Sequence, residues 1–290
     1  MKLPTEDIAQ KDIVRIYRQH FGFADAVFEK TRILFSGKVP PHSPIVLCLM
    51  PVLTRMMRLH YCCIKLASMG CALEGKLQGR AMFENLVNVL ALEYSADQEL
   101  YARRWIAWDL ANHIKQVKIY VADNPNDAKL LVEKEEMLKE TRNAIALESR
   151  STAKLRWPTD VTRQNQYVKD RWKIFVDKGP SMRDLRENAG FADGKISRAN
   201  LQRTYDQFYP YASGVMHGSD IKSLVETDKI AENKIVLKLA PSKKDIPELI
   251  VTSSFFLGRA AASVSRVVGL GGKNFSDEVN DILATAPNPE

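Results

Sequence analysis

Apolar residues recur along this chain at the spacing of a helix and almost nowhere at the spacing of a strand. A helix returns to one face every three or four residues and a strand every second one, so the period selects the element. Only one short run alternates: from Asn233 to Ala240, Ile235, Leu237 and Leu239 are separated by polar residues. The expected fold class is therefore all-α, a multi-helix bundle of long antiparallel helices with a short extended or β segment near 233–240. With 290 residues, 45% of them hydrophobic, the chain can close one large core or two modest ones.

Breakers divide the pattern. The turn-rich stretch Gly37 to Pro44 holds three prolines, and it separates an N-terminal helical arm (1–42) from a main helical domain (43–275). Residues 276–290 then form a short C-terminal helix, opened by Ser276, and a tail. Within the main domain one helix runs from Ser43 to Met69 and stops at Gly70. Pro51 falls in its early turns or kinks it. A second runs from Leu73 to Tyr94, with Phe83, Val87 and Leu90 turned to a core. A third passes Trp105 and Ile114 to Val121. Asn124 and Pro125 read as the N-cap and first residue of a fourth, which reaches Ser149. A further helix spans Asp245 to Val268 and ends at Gly269.

Several function classes are excluded by what the chain lacks. Leu249 to Leu270 has spanning length but contains Arg259 and Arg266, which a bilayer core penalises, so no membrane association is expected. Met1 to Asp12 is polar and carries Glu6, Asp7 and Asp12, unlike a secretory leader. Cys48, Cys62, Cys63 and Cys71 form no Cys-x-x-Cys pair and the five histidines are scattered, so no metal site is expected. The thiols read as buried and free in a reducing cytoplasm. No phosphate-cradling glycine loop or nucleophile elbow is present, and no cofactor is expected.

Two polar rows interrupt otherwise core-like helices. Tyr205, Tyr209, Ser213 and His217 follow one another at intervals of four, and Arg80, Glu84 and Asn88 repeat that spacing, with Asn85 beside them. Residues four apart nearly superpose on a helix, so each row forms a stripe. His217 titrates near neutrality and can carry a proton, Glu84 can orient its imidazole, and Arg80 can hold a phosphate. The other meaning of such rows is a buried network that fixes the register of a bundle, since buried polar groups must be paired.

The net charge of +7 is concentrated. Between Ser149 and Lys173 seven basic residues face two acidic ones, a net +5, with Trp157, Tyr167 and Trp172 interleaved. Arg156, Trp157, Arg163 and Trp172 are the binding residues this pattern suggests, because cations beside aromatic faces suit a phosphate backbone with splayed bases. A solvated helix face with snorkelling side chains has the same composition.

The run "LASMGCALEGKLQGRAMFENLVNVLALEY" resembles the opening signature of an uncharacterised bacterial family, the domain-of-unknown-function family numbered 5677. There a helix ends at a glycine and the next carries arginine, glutamate and asparagine, here Arg80, Glu84, Asn85 and Asn88. The segment "RTYDQFYPYASGVMHGSD" resembles the family's closing Tyr-x3-Tyr-x3-Ser-x3-His row, and "DQELYARRWIAW" lies between. The resemblance covers residues 45 to 270. Pro210 inside the row departs from the pattern and bends its helix.

Val215 to Gly218 is similar to the Ile-Ala-His-Gly close of some HEPN helical domains, ribonucleases that pair an arginine with a histidine four to six residues later. Here Tyr211, Ala212 and Ser213 stand at those upstream positions, so the pairing arginine of an ordinary HEPN site is absent. The 5677 resemblance implies a fold and no activity. The polar rows together with the basic-aromatic stretch suggest an RNA-binding protein or a HEPN-like metal-independent ribonuclease, with RNA as partner, and a homodimer or protein partner is the other expected association. The alternative is a non-enzymatic helical interaction protein of a bacterial defence or toxin-antitoxin system.

Overall fold

The computed structural model describes residues 6–36, 43–95, 97–151, 225–227, 235–237, 243 and 245–288. Among these residues helices predominate, and the all-α class holds. The element order is α1 Glu6–Ile16, α2 Arg18–Arg32, α3 Pro44–Ser68, α4 Ala72–Glu93, α5 Gln98–Asp123 and α6 Ala128–Ser151, followed by α7 Ile246–Val268 and α8 Phe275–Ala284. Single 3-10 turns, Ile33–Phe35 and Pro125–Asp127, follow α2 and precede α6. One short strand pair, β1 Val225–Thr227 and β2 Ile235–Leu237, is antiparallel, with Val225 opposite Leu237.

Local chemistry explains most helix ends. Ser43 caps α3, its hydroxyl accepting from the Val46 amide at 3.2 Å, and Pro44 takes the first position, where a missing amide costs nothing. Pro51 sits inside α3 and the helix continues through it. Asp97 caps α5 by accepting from the Leu100 amide at 3.0 Å. Gly269 ends α7 with φ 75°, a left-handed conformation that glycine adopts without steric cost. Two expected caps act otherwise. The Asn124 side chain donates back to the Tyr120 carbonyl and closes α5 instead of opening α6. The Ser276 hydroxyl donates to the Ala262 carbonyl on α7, and Asn274 occupies the α8 N-cap position.

The core lies where α2, α3, α4, α7 and α8 converge. α7 is its most buried element: Leu249, Leu257, Ala260, Ala261 and Val264 are wholly enclosed. Apolar burial of this extent is the main favourable term in folding. From the expected N-terminal arm, α2 contributes Phe23, Ala24 and Val27 to that shared core. His20 of α2 bonds the Asn288 carbonyl at 2.9 Å, and Lys30 pairs with Glu278 of α8.

α4 and α7 run in the same direction. Lys76 meets Glu248 at 2.7 Å near their starts, Phe83 lies 5.6 Å from Phe256 between ring centroids midway, and Glu93 meets Arg266 at 2.7 Å near their ends. The antiparallel arrangement expected of the long helices therefore fails for this pair. Short loops enforce antiparallel neighbours, but these two helices are separated by the chain from Tyr94 to Asp245 and no such constraint acts on them. Gly75 permits their close approach, since a Cβ there would collide with Leu249 Cδ2.

α3 is long and apolar enough to cross a membrane by length and composition alone. In the fold it packs on α4, α5 and α7, and Arg55, Arg58 and Lys65 lie on its exposed face.

Candidate functional site

α4 has two kinds of surface. Met82, Phe83, Leu86, Val87 and Leu90 are buried against the neighbouring helices. Arg80 and Glu84 stand one turn apart on the other side, where Arg80 Nε donates to Glu84 Oε1 at 3.2 Å. Their side chains are 16% and 36% exposed and Arg80 Nη1 is buried, so Glu84 is the more open of the two and the guanidinium is mostly enclosed. Asn85 donates from Nδ2 to the Ala81 carbonyl at 2.8 Å. Asn88, one turn further, is 1% exposed, and among the described residues neither of its amide atoms has a hydrogen-bond partner. A buried amide without partners costs about 1–3 kcal/mol, so packing alone does not account for it.

α3, α4 and α5 leave an open cleft of about 510 Å³, which Arg80, Glu84 and Asn88 do not line. Leu47, Val52, Trp105, Ile106 and Leu110 give it apolar walls. Asn85 comes to it from α4, Arg55 from α3 and Asp109 from α5. The volume is that of a small-ligand pocket, and apolar walls with a few converging polar groups are the usual composition of one.

The electrostatics separate reactive groups from inert ones. Burial pushes the Cys48 thiol up to about 12, and the negative charges of Asp109 and Glu99 add to the effect. Cys63 is likewise pushed up to about 12, mainly by burial. Neither is a nucleophile at neutral pH. Cys62 is exposed and Cys71 partly so, which corrects the expectation that all four thiols are buried. His60 is buried, stacks on Phe28 and bonds Ser254 Oγ through Nε2 at 3.0 Å. Burial lowers its pKa to about 3, which makes it a neutral core histidine. Among the described residues no three His, Cys, Asp or Glu side chains gather as a metal site would require.

Of the residues singled out from sequence, Arg80, Glu84, Asn85 and Asn88 share one helix, and Asn85 alone of them lines the cleft. Tyr205, Tyr209, Ser213 and His217 lie outside the described residues, as do Arg156, Trp157, Arg163 and Trp172. The cleft's charged groups, Arg55 and Asp109, were not legible as a pair. The signal that was present is the "DQELYARRWIAW" segment, which places Trp105 on α5 and in the cleft.

A family model described as a family of unknown function, DUF5677, matches residues 47–232. No curated protein matches the chain, and no solved structure does.

Proposed function

The chain belongs to DUF5677, a family of unknown function, and we propose that this protein binds RNA and cleaves it at a HEPN-like, metal-independent centre. The observation that carries the reading is the Arg80–Glu84 ion pair on α4, one turn from the buried amide of Asn88 and on the same helix as Asn85, which lines the cleft. An arginine fixed by a carboxylate one turn away is oriented for a phosphate and cannot be neutralised. The concentrated basic and aromatic residues between Ser149 and Lys173 support a polyanionic substrate.

In this reading His217 takes the proton of a ribose 2′-hydroxyl, and the 2′ oxygen bonds to the adjacent phosphorus as the bond from phosphorus to the 5′ oxygen breaks. The proton that His217 has taken passes, directly or through solvent, to the departing 5′ oxygen, so the imidazole ends neutral. The products are a 2′,3′-cyclic phosphate and a 5′-hydroxyl end, and neither water nor metal is consumed. Arg80 stabilises the charge that builds on the phosphoryl oxygens, in place of the arginine that ordinary HEPN sites carry just before the histidine. The reaction belongs in the cytoplasm, away from any membrane.

The test incubates purified protein with end-labelled RNA in excess chelator. Cleavage to cyclic-phosphate ends is expected, abolished by His217→Ala and by Arg80→Gln at unchanged melting temperature. Intact RNA with the wild-type protein overturns the nuclease reading.

A second reading, a non-enzymatic interaction protein of a defence or toxin-antitoxin system, rests on α5 and α6. Ile119 is 70% and Val132 61% exposed there, and Met137 also faces solvent. Exposed apolar side chains on paired helices suit a protein partner or a second copy of the chain. Sedimentation at rising concentration decides for the second copy, with a dimer expected and loss of it in an Ile119→Ser/Val132→Ser variant.

A further inference from the structure

α3 contains no acidic residue from Pro44 to Ser68. Arg55, Arg58 and Lys65 are exposed on it, and among the described residues none of the three makes an ion pair. Spaced by three and seven residues, they fall on one stripe about 15 Å long. Tyr61 is exposed within the stripe, and Lys65 Nζ lies 5.7 Å from its ring centroid. Surface cations are ordinarily matched by nearby carboxylates, and three unmatched on one face create a local positive field. The stripe also leads into the cleft, because Arg55 belongs to both.

We infer that the exposed face of α3 and the adjoining cleft form a path for single-stranded RNA, separate from the basic segment at 149–173. Arg58 and Lys65 take successive phosphates, with Tyr61 as an aromatic platform between them. At the end of the stripe Arg55 holds the phosphate of a nucleotide whose base enters the cleft beside Trp105. Asp109, which also makes no ion pair among the described residues, accepts from an exocyclic amine on that base. An unpaired strand is required, because only splayed bases can leave the backbone for a pocket. An anionic membrane surface fits less well. The exposed large apolar residues here, Leu47 and Tyr61 of α3 and Met69 at its C-cap, are separated by two or more turns with the cations between them, whereas interfacial helices present a continuous apolar stripe.

The inference rests on the RNA reading above and adds where the strand lies. Binding of a fluorescein-labelled 12-nucleotide single-stranded RNA with 2′-O-methyl riboses, which a centre that needs the 2′-hydroxyl does not cleave, is measured by anisotropy from low to physiological salt. The Arg55→Gln/Arg58→Gln/Lys65→Gln variant is compared with wild type and with Lys129→Gln, a control on exposed α6. Each phosphate contact on a single strand contributes about 0.7 to the slope of log affinity against log salt, so the triple variant is expected to lose about 2 from that slope. A loss of affinity of at least tenfold, at unchanged melting temperature, accompanies it, and Lys129→Gln binds as wild type.

An unchanged slope in the triple variant, with wild type binding normally, overturns the path and leaves the nuclease centre standing. Absence of binding by wild type even at low salt overturns RNA as the substrate altogether. Loss of binding to phosphatidylserine vesicles in the triple variant, with RNA binding retained, assigns the face to membrane and overturns the path.

Discussion

Glu93 accepts from Arg266 Nε at 2.7 Å and, through its other carboxylate oxygen, from Ser263 Oγ at 2.6 Å. Together with Lys76 and Glu248 at the opposite end, this contact pins α4 to α7 along their whole shared length. The Glu93 side chain is 8% exposed while that of Arg266 is 37% exposed, so the carboxylate carries most of the desolvation. Glu93→Ala is therefore expected to destabilise by about 2 kcal/mol and Arg266→Ala by less, because truncating the buried partner strands the serine hydroxyl as well. Urea midpoints of both variants check the order; equal losses would contradict it.

The close approach at Gly75 makes a separate prediction. Gly75→Val puts new methyl groups into the space of a wholly buried Leu249 side chain, and overpacking of this kind costs about 1–3 kcal/mol. Leu249→Ala in the same molecule should recover part of that loss, whereas independent sites would show simple addition. A thermal-denaturation double-mutant cycle measures the coupling.

His60 sets a pH dependence. Its folded pKa, about 3, lies below the ordinary value of 6.5, so the unfolded chain binds the proton more readily. Its contribution is intact above pH 6.5 and is lost as pH falls through the window from 6.5 to 3, at up to about 1.4 kcal/mol per pH unit. Urea midpoints between pH 7 and pH 4 should decline more steeply for wild type than for His60→Leu. Parallel curves would show that the imidazole is not the group responsible.

Thiol chemistry should follow exposure. Native protein treated with an alkylating reagent is expected to lose Cys62 first and Cys71 next, with Cys48 and Cys63 reacting only after unfolding. Peptide mapping of the labelled positions reads the order directly.

The family match ends at residue 232, yet α7 begins at Ile246 and α2 lies before residue 47. Both helices pack into the core that α3 and α4 help to form. A fragment limited to 47–232 would lose Phe256 from its contact with Phe83 and is expected to lack a cooperative melt. Circular dichroism of that fragment, against the full chain, tests this.

Period and punctuation alone determined the class, the helix bounds and much of what α3, α4 and α7 bury, because a turn of helix and its stop signals are local: Ser43, Gly70 and Gly269 act within a few residues of themselves. The alignment of Arg80, Glu84 and Asn88 on one face was legible for the same reason. Tertiary structure alone decided that α4 and α7 run the same way and that Cys62 is exposed while Cys63 is not. It alone brought Arg55, Asn85 and Asp109 from three helices to one cleft. Those relations depend on which faces meet across long stretches of chain, where packing and charge pairing choose among arrangements that helical periodicity leaves equivalent.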